Sequence, residues 1–410
     1  MAVVRTLKTL LFAFVVTVGL ALSVVQPAAA AAAPPQITLN PASGPAGSAV
    51  TVAGTGFKAS TTGTVIAGST TFAFQTTATG AFSTAITIPA GSSGNLTITA
   101  KTSSIKASAV FVVQAVPAPQ PPAISSAALR FGVATAGGPL AGAELDEVAA
   151  LAGESPSIVM TYKDFLQPPP ISEMDAVRGR GATPLVTWEP WAWGGGVDQP
   201  AYSLDRITAG DFDGLITQWG TSFAAWGKPV MLRFAHEMNG NWYPWAEGVN
   251  GNQAGDYVAA WRHVHDVVAA TGASNVQWVW SPNVPYWGST DLAGLFPGAG
   301  YADVVALDGY NWGTSQTWST WVSPVDLFAP GLSQLRALAP GKPILIAETA
   351  STELGGSKAS WNTDMVSYFA AQSDVMGFVW FHLQKEVDWR INSSDSSASA
   401  FKSALLARRS

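Results

Sequence analysis

From about position 127 onward the chain alternates between short apolar runs and longer stretches whose apolar residues recur every three or four positions. The short runs at 129–136, 157–162, 184–189, 229–237, 276–281, 304–310, 343–348 and 377–382 predict β-strands. Between them the stretches at 145–151, 212–226, 254–270, 327–338 and 361–371 carry the helical period. Eight strands, each followed by helical sequence, predict a (β/α)8 barrel over residues 127–410. A doubly wound parallel sheet is the alternative. It would need fewer strands and a glycine-rich phosphate loop after the first, and the segment from Gly132 to Gly137 lacks that spacing.

The pattern before position 127 is different. Residues 34–114 show short runs of period two, such as Ala49-Val50-Thr51-Val52 and Leu96-Thr97-Ile98-Thr99, separated by Gly, Pro and Ser clusters, which predicts a small all-β sandwich. Its opening, Ile37-Thr38-Leu39-Asn40-Pro41-Ala42-Ser43-Gly44-Pro45, with the later Val52-Ala53-Gly54-Thr55-Gly56-Phe57, resembles the start of an IPT/TIG-type immunoglobulin-like domain. Sugar-binding faces stack pyranose rings on Trp or Tyr. This zone has neither, so a spacer is expected here in preference to a carbohydrate-binding module. Residues 115–126, with Pro117, Pro119, Pro121 and Pro122, read as a semi-rigid linker. At the start, Arg5 and Lys8, an apolar run over 9–25 and the small residues from Ala28 to Ala33 read as a cleavable export signal over 1–33. A secreted protein, free of the membrane once the signal is removed, is the expectation; an uncleaved anchor is the alternative.

Composition narrows the chemistry. The 410 residues include no Cys, which removes disulfides, thiolate metal sites and a cysteine nucleophile. A formal charge of −6 and a pI near 5.2 argue against a nucleic-acid partner and suit a neutral polymer. Every acidic residue, Trp, Tyr and His lies beyond position 126, so the chemistry belongs to the barrel. With four His in the chain, and His263 and His265 two apart on a helical run, no metal site and no cofactor are expected.

Barrel enzymes take catalytic groups from the C-terminal ends of strands. Strand four runs into Arg233-Phe234-Ala235-His236-Glu237 and strand seven into Ile344-Leu345-Ile346-Ala347-Glu348. The two-residue period places Arg233 with Glu237, and Ile346 with Glu348, on shared faces, so each Glu is expected to project from the rim. A Glu ending an apolar strand is costly to desolvate unless paired or used. Two of them, near Trp242, Trp280, Trp312 and Trp380, suggest a glycoside-cleaving carboxylate pair. Glu189 also ends a strand and is expected to contact substrate or pair structurally; His382 is expected to face the site.

The segment 233–242, R-x-x-H-E-M-N-G-x-W, together with Asp308-Gly309-Tyr310, Ala347-Glu348 and Trp380-Phe381, closely resembles glycoside hydrolase family 26. That family is best known for β-mannanases and also holds mixed-linkage β-glucanases and β-1,3-xylanases. The resemblance implies Glu237 as acid/base and Glu348 as nucleophile, with His236, Trp242, Asp308, Tyr310 and Trp380 around the reacting sugar and Arg233 beside the nucleophile. It also implies a retaining mechanism, with the two carboxyl groups about 5–5.5 Å apart. The expected partner is a β-glycan, with β-1,4-mannan slightly ahead of mixed-linkage β-1,3-1,4-glucan. The segment from Thr187 to Trp193 departs from the His-containing segment usual in family mannanases and pulls toward glucan. Trp191, Trp193, Trp245, Trp287 and Trp312 suggest an open cleft and endo action; a monomer is expected. A non-catalytic polysaccharide-binding barrel is the reading from another class, and the presence of both Glu weighs against it.

Overall fold

The computed structural model describes residues 34–89, 92, 94–114 and 129–408. The export-signal and linker expectations lie outside these residues. The chain divides into two compact units, an N-terminal all-β unit and the barrel.

The first unit carries β1 (Gln36–Asn40), β2 (Ser43–Gly44), β3 (Ala49–Thr55), β4 (Thr62–Ala67), β5 (Thr70–Gln75), β6 (Phe82–Thr87), β7 (Gly94–Lys101) and β8 (Lys106–Val113). They form a three-stranded sheet in the order β1-β3-β6 and a five-stranded sheet in the order β2-β8-β7-β4-β5. The alternation anticipated from sequence is clearest in β3, where every second residue is buried. Phe74 of one sheet stacks on Phe82 of the other at 3.8 Å, with Phe57 edge-on to both.

In the second unit, β9 (Arg130–Thr135), β10 (Ile158–Asp164), β11 (Thr183–Glu189), β12 (Val230–Phe234), β13 (Val276–Trp280), β14 (Val304–Asn311), β15 (Ile344–Ser351) and β16 (Val375–His382) close in sequence order into a parallel barrel. Helices α1 (Gly142–Ala152), α2 (Ile171–Gly179), α3 (Leu204–Thr208), α4 (Asp213–Trp226), α5 (Asp256–Ala270), α6 (Leu292–Leu295), α7 (Pro324–Leu338), α8 (Lys358–Ala370) and α9 (Asp395–Ala407) follow the strands. The barrel prediction therefore holds. Four helices were not anticipated: α3 and α6 are one turn or little more, and α2 and α9 are rich in polar residues. The Ser394 hydroxyl caps α9 by accepting from Ser397 N–H, a local signal independent of apolar period.

Much of the Trp content fills the layer between barrel and helices. Trp188 of β11 stacks on Trp219 of α4 at 4.3 Å, and Trp261 of α5 packs against Phe234 and Trp278. Rings of this size dominate the burial energy of the wall, which lets the strand ends above it carry polar groups. Among the described residues no helix is long and apolar enough to cross a membrane.

Candidate active site

The C-terminal mouth of the barrel opens into a cleft of about 1450 Å³ in which Glu189, Glu237 and Glu348 share the lining. Glu348 is delivered by an irregularity in the seventh strand. Leu307 pairs with Ile346, but the next residue, Asp308, pairs with Glu348, leaving Ala347 as the extra residue of a bulge. Bulges bend a strand and re-aim a side chain. Strand β15 then continues to Ser351, so Glu348 sits within the strand and not at its end, as the sequence pattern had suggested.

Three hydrogen-bonding groups converge beneath it. Tyr162 O–H donates to Glu348 Oε1 at 2.8 Å, Tyr310 O–H donates to Oε2 at 2.5 Å, and Arg233 Nη2 donates to Oε1. Arg233 is fully buried and also donates from Nη1 to Asp308 Oδ2 at 2.7 Å and from Nε to Thr187 Oγ1 at 2.9 Å. Burial works against its charge, but the carboxylates of Asp308 and Glu348 outweigh that and hold its pKa above the ordinary value. Both tyrosines have their pKa raised, first by burial and then by the Glu348 charge, so they remain phenols that donate. Two hydroxyls and a guanidinium thus fix the Glu348 carboxyl in position.

Glu237 is placed differently. Strand β12 stops at Phe234, three residues short of the expected end, and the strand period no longer applies beyond it. Ala235 (φ 46°) and Glu237 (φ 53°) adopt left-handed backbone on either side of His236, a conformation that costs about 1–3 kcal/mol at each non-glycine residue. Four bonds hold the strained turn: Ala235 N–H to Trp188 O at 3.0 Å, Glu237 N–H to Ser281 O at 2.7 Å, Tyr257 O–H to Ala235 O at 3.0 Å, and Trp245 Nε1–H to His236 O at 2.6 Å. The indole of Trp242 lies on Gly240, where a Cβ would come within 2.5 Å of the ring; only glycine allows that approach. From there Trp242 Nε1–H donates to Glu237 Oε2 at 2.8 Å.

Burial, followed by the Glu348 charge, pushes the Glu237 carboxyl up to about 8. The cleft therefore holds one carboxyl kept protonated near neutrality and a second anchored by a guanidinium and two phenols, two different environments of the kind acid–base and nucleophilic chemistry requires. His236 is buried and its pKa is lowered, by desolvation first and then by Arg233, so it is a neutral imidazole. Its Nε2 lies 4.0 Å from both Glu189 Oε1 and Glu348 Oε1, and its Nδ1 has no hydrogen-bond partner among the described residues. Glu189 accepts the indole N–H groups of Trp191 and Trp193 on one oxygen, and burial raises its pKa.

The family model of Glycosyl hydrolase family 26 matches residues 174–374, a span that contains both Glu237 and Glu348. The chain belongs to glycosyl hydrolase family 26. Among its relatives, Endoglucanase H of Acetivibrio thermocellus is 42% identical over 238 residues, covering 56% of this chain and 25% of that protein. Mannan endo-1,4-beta-mannosidase A and B of Caldalkalibacillus mannanilyticus is 39% identical over 90 residues, covering 21% of this chain and 17% of that protein. The chain thus spans a quarter or less of the curated relatives it matches. The catalytic domain of the family 26 endo-beta-1,4-mannanase of Bacillus sp. JAMB-750 superposes with a TM-score of 0.53 at 19% identity, over 69% of this chain and 86% of that one, which bears on the fold.

The mouth of the barrel brings Arg233, His236, Glu237, Trp242, Asp308, Tyr310 and Glu348 together; Glu237, Trp242, Tyr310 and Glu348 line the cleft, whereas Arg233, His236 and Asp308 are buried behind it. Trp380 is a correction. It is fully buried on the outer side of β16, packed against Trp361 of α8 and Phe401 of α9, with its Nε1–H donated to Trp389 O at 2.9 Å. Strand alternation turns its neighbour Phe381 into the cleft instead. His382 shares the outward side: it is buried, lowered by desolvation to about 4, and its Nδ1 accepts from Ile391 N–H at 3.0 Å. Trp245 and Trp280 are likewise core residues, whereas Trp191, Trp193, Trp287 and Trp312 do line the cleft. Tyr162, Thr187, Ser281 and Trp389 were missed. A polar signal existed for the first three, which stand at or near C-terminal strand ends; for Trp389, in a loop, there was none.

Proposed function

We propose that this protein is a retaining endo-β-glycanase that cleaves internal linkages of a β-glucan by double displacement, with Glu237 as acid/base and Glu348 as nucleophile. The observation that carries the reading is the different setting of two carboxyls in one cleft, Glu237 held protonated up to about 8 and Glu348 fixed by Arg233, Tyr162 and Tyr310. In the first step Glu348 attacks the anomeric carbon while Glu237 protonates the departing glycosidic oxygen. In the second, Glu237, now ionised, takes a proton from water as that water displaces Glu348. The open cleft and its exposed Trp193, Trp287 and Trp318 suit a chain threading past in both directions.

Glucan is placed first because a relative similar over 238 residues is named an endoglucanase, and because Glu189, Trp191 and Trp193 of the segment that departs from family mannanases line this cleft. β-1,4-Mannan is the second reading, favoured by the relatives named mannan endo-1,4-beta-mannosidases. The same proposal takes the protein to be exported and monomeric, with the N-terminal unit a spacer. Assaying barley β-glucan, glucomannan and galactomannan side by side, with the first-released anomer followed by NMR, tests it. Release of the inverted anomer would overturn the mechanism, and activity confined to mannans would overturn the substrate. Turnover of none of the three would overturn the function itself.

A further inference from the structure

The loop between β16 and α9 builds one wall of the cleft, contributing Lys385, Glu386 and Trp389. Trp389 is wedged behind the site, 5.1 Å from the ring of Tyr310 and perpendicular to Trp312 at 4.9 Å. Tyr310 in turn donates to Glu348. The loop is mostly polar, and a buried side chain outside it holds it in place.

That side chain is Lys358, the first residue of α8. It is fully buried, and its Nζ donates to Asp388 O at 3.3 Å, Arg390 O at 2.8 Å and Ser393 Oγ at 2.8 Å. All three N–H groups of the ammonium are thereby committed to this one loop. Ser393 passes the interaction on, donating to Glu353 Oε1 at 2.7 Å, and Ser394 donates to the same oxygen at 2.8 Å. The ammonium also lies over the ring of the core residue Trp380, 5.7 Å from its centroid, but the helix itself does not favour a lysine here. A cation in the first turn opposes the helix dipole, and Lys is among the residues least often fully buried.

We propose that Lys358 is a positioning residue for the substrate cleft: it clamps the 385–393 loop and, through Trp389, sets the walls formed by Tyr310 and Trp312. This rests on the glycan-cleaving reading above. The charged and titratable groups facing the ammonium are Glu353, Asp388, Arg390 and His382. Burial lowers Lys358 to about 8. Above that pH the neutral amine offers two N–H donors to three acceptors, and the loop loses a tether. His382 stays neutral across this range, while the ion pair between Asp388 and Arg390 keeps both charged.

Hydrogen exchange of the full chain, followed by mass spectrometry from pH 6.5 to 9.5 and corrected for intrinsic rates, tests the clamp directly. Lys358→Met should speed exchange in the loop at pH 7 by at least about tenfold, the effect of losing a hydrogen bond to a charged group, with the barrel strands unchanged. Its KM on β-glycan should rise by about the same factor, with kcat changed by less than about threefold. The wild-type loop should show faster exchange above pH 8, and Lys358→Met no further rise. Unchanged loop exchange, or KM and kcat worsening together with loss of folded protein, would overturn the proposal. Should Lys358→Met fail to fold, flat exchange of the wild-type loop through pH 8 overturns it equally. If the wild type cleaves no β-glycan, the functional reading falls while the exchange data still decide the clamp.

Discussion

The side-chain amide of Asn239 closes a two-way pair with the backbone of Asn283, donating from Nδ2 to its carbonyl and accepting on Oδ1 from its N–H, each at 2.9 Å. Asn239 is buried and belongs to the turn that carries Glu237; Asn283 starts the loop that carries Tyr286 and the exposed Trp287. The acid and the rim of the cleft are thereby fixed to one another. Asn239→Ala should lower stability by about 1–3 kcal/mol, since it removes two hydrogen bonds and strands a buried backbone pair. It should also raise KM on long glycans more than on disaccharide-length substrates. Denaturant melts and kinetics on graded oligosaccharides check both; equal effects on all lengths would separate the loop from chain binding.

On the proposed mechanism Glu237 should set an alkaline limit on turnover. As acid it must be protonated, so with its carboxyl at about 8 the kcat on natural glycans should hold below that pH and fall as pH rises through it. Lys358 acts on KM, so kcat is the quantity to follow. An aryl glycoside whose leaving group needs no proton should show no such fall. The same alkaline fall on both substrates would assign the limit to another group.

Removing either carboxyl should separate the two roles. Glu237→Ala should cost about 10²–10⁴-fold on natural glycans yet spare activated aryl glycosides, whereas Glu348→Ala should lose both. Equal losses on the aryl substrate would remove the acid assignment.

Arg233 joins two carboxylates at no exposure, so Arg233→Met should destabilise the fold by about 3–5 kcal/mol by leaving Asp308 buried and unpaired. Adding Asp308→Asn should restore much of that stability without restoring activity, because Glu348 still lacks its guanidinium. Calorimetry of the single and double variants measures the first part, and turnover the second. Recovery of activity in the double variant would show that Arg233 serves the fold alone.

Trp380 and Phe381 should part ways despite being neighbours. Trp380→Ala opens a cavity between β16, α8 and α9, worth about 3–5 kcal/mol of stability. Phe381→Ala removes a cleft surface that meets Tyr310 edge-on, and should act mainly on KM. Thermal melts alongside Michaelis kinetics distinguish them.

The barrel was legible because its eight apolar strands and their interleaved helices repeat a pattern that local burial imposes. The carboxylate pair was legible because charge at the end of an apolar strand is conspicuous. Trp380 was misplaced because a strand buried on both faces, like β16, carries apolar residues throughout, and nothing in the sequence says which alternate set faces the mouth. Glu237 was placed correctly for a reason that fails in the structure: the strand ends at Phe234, and two left-handed residues, not strand alternation, aim the side chain. Lys358 and Trp389 had no such signal, since the loop that Lys358 holds lies about thirty residues away and the rings that Trp389 meets lie nearly eighty away, brought together only by the closed barrel.

The bulge at Ala347 also bears on how such a chain tolerates change in length. Loops on the rim can gain or lose residues at little cost, but the stretch from Ile344 to Glu348 is counted. Deleting a single codon there would let β15 re-pair smoothly with β14 and still complete a closed barrel, while rotating the nucleophile out of reach of Arg233, Tyr162 and Tyr310. Descendants carrying that deletion would be well-folded and inert, recognisable in a collection of natural sequences by one missing residue within an otherwise unaltered seventh strand.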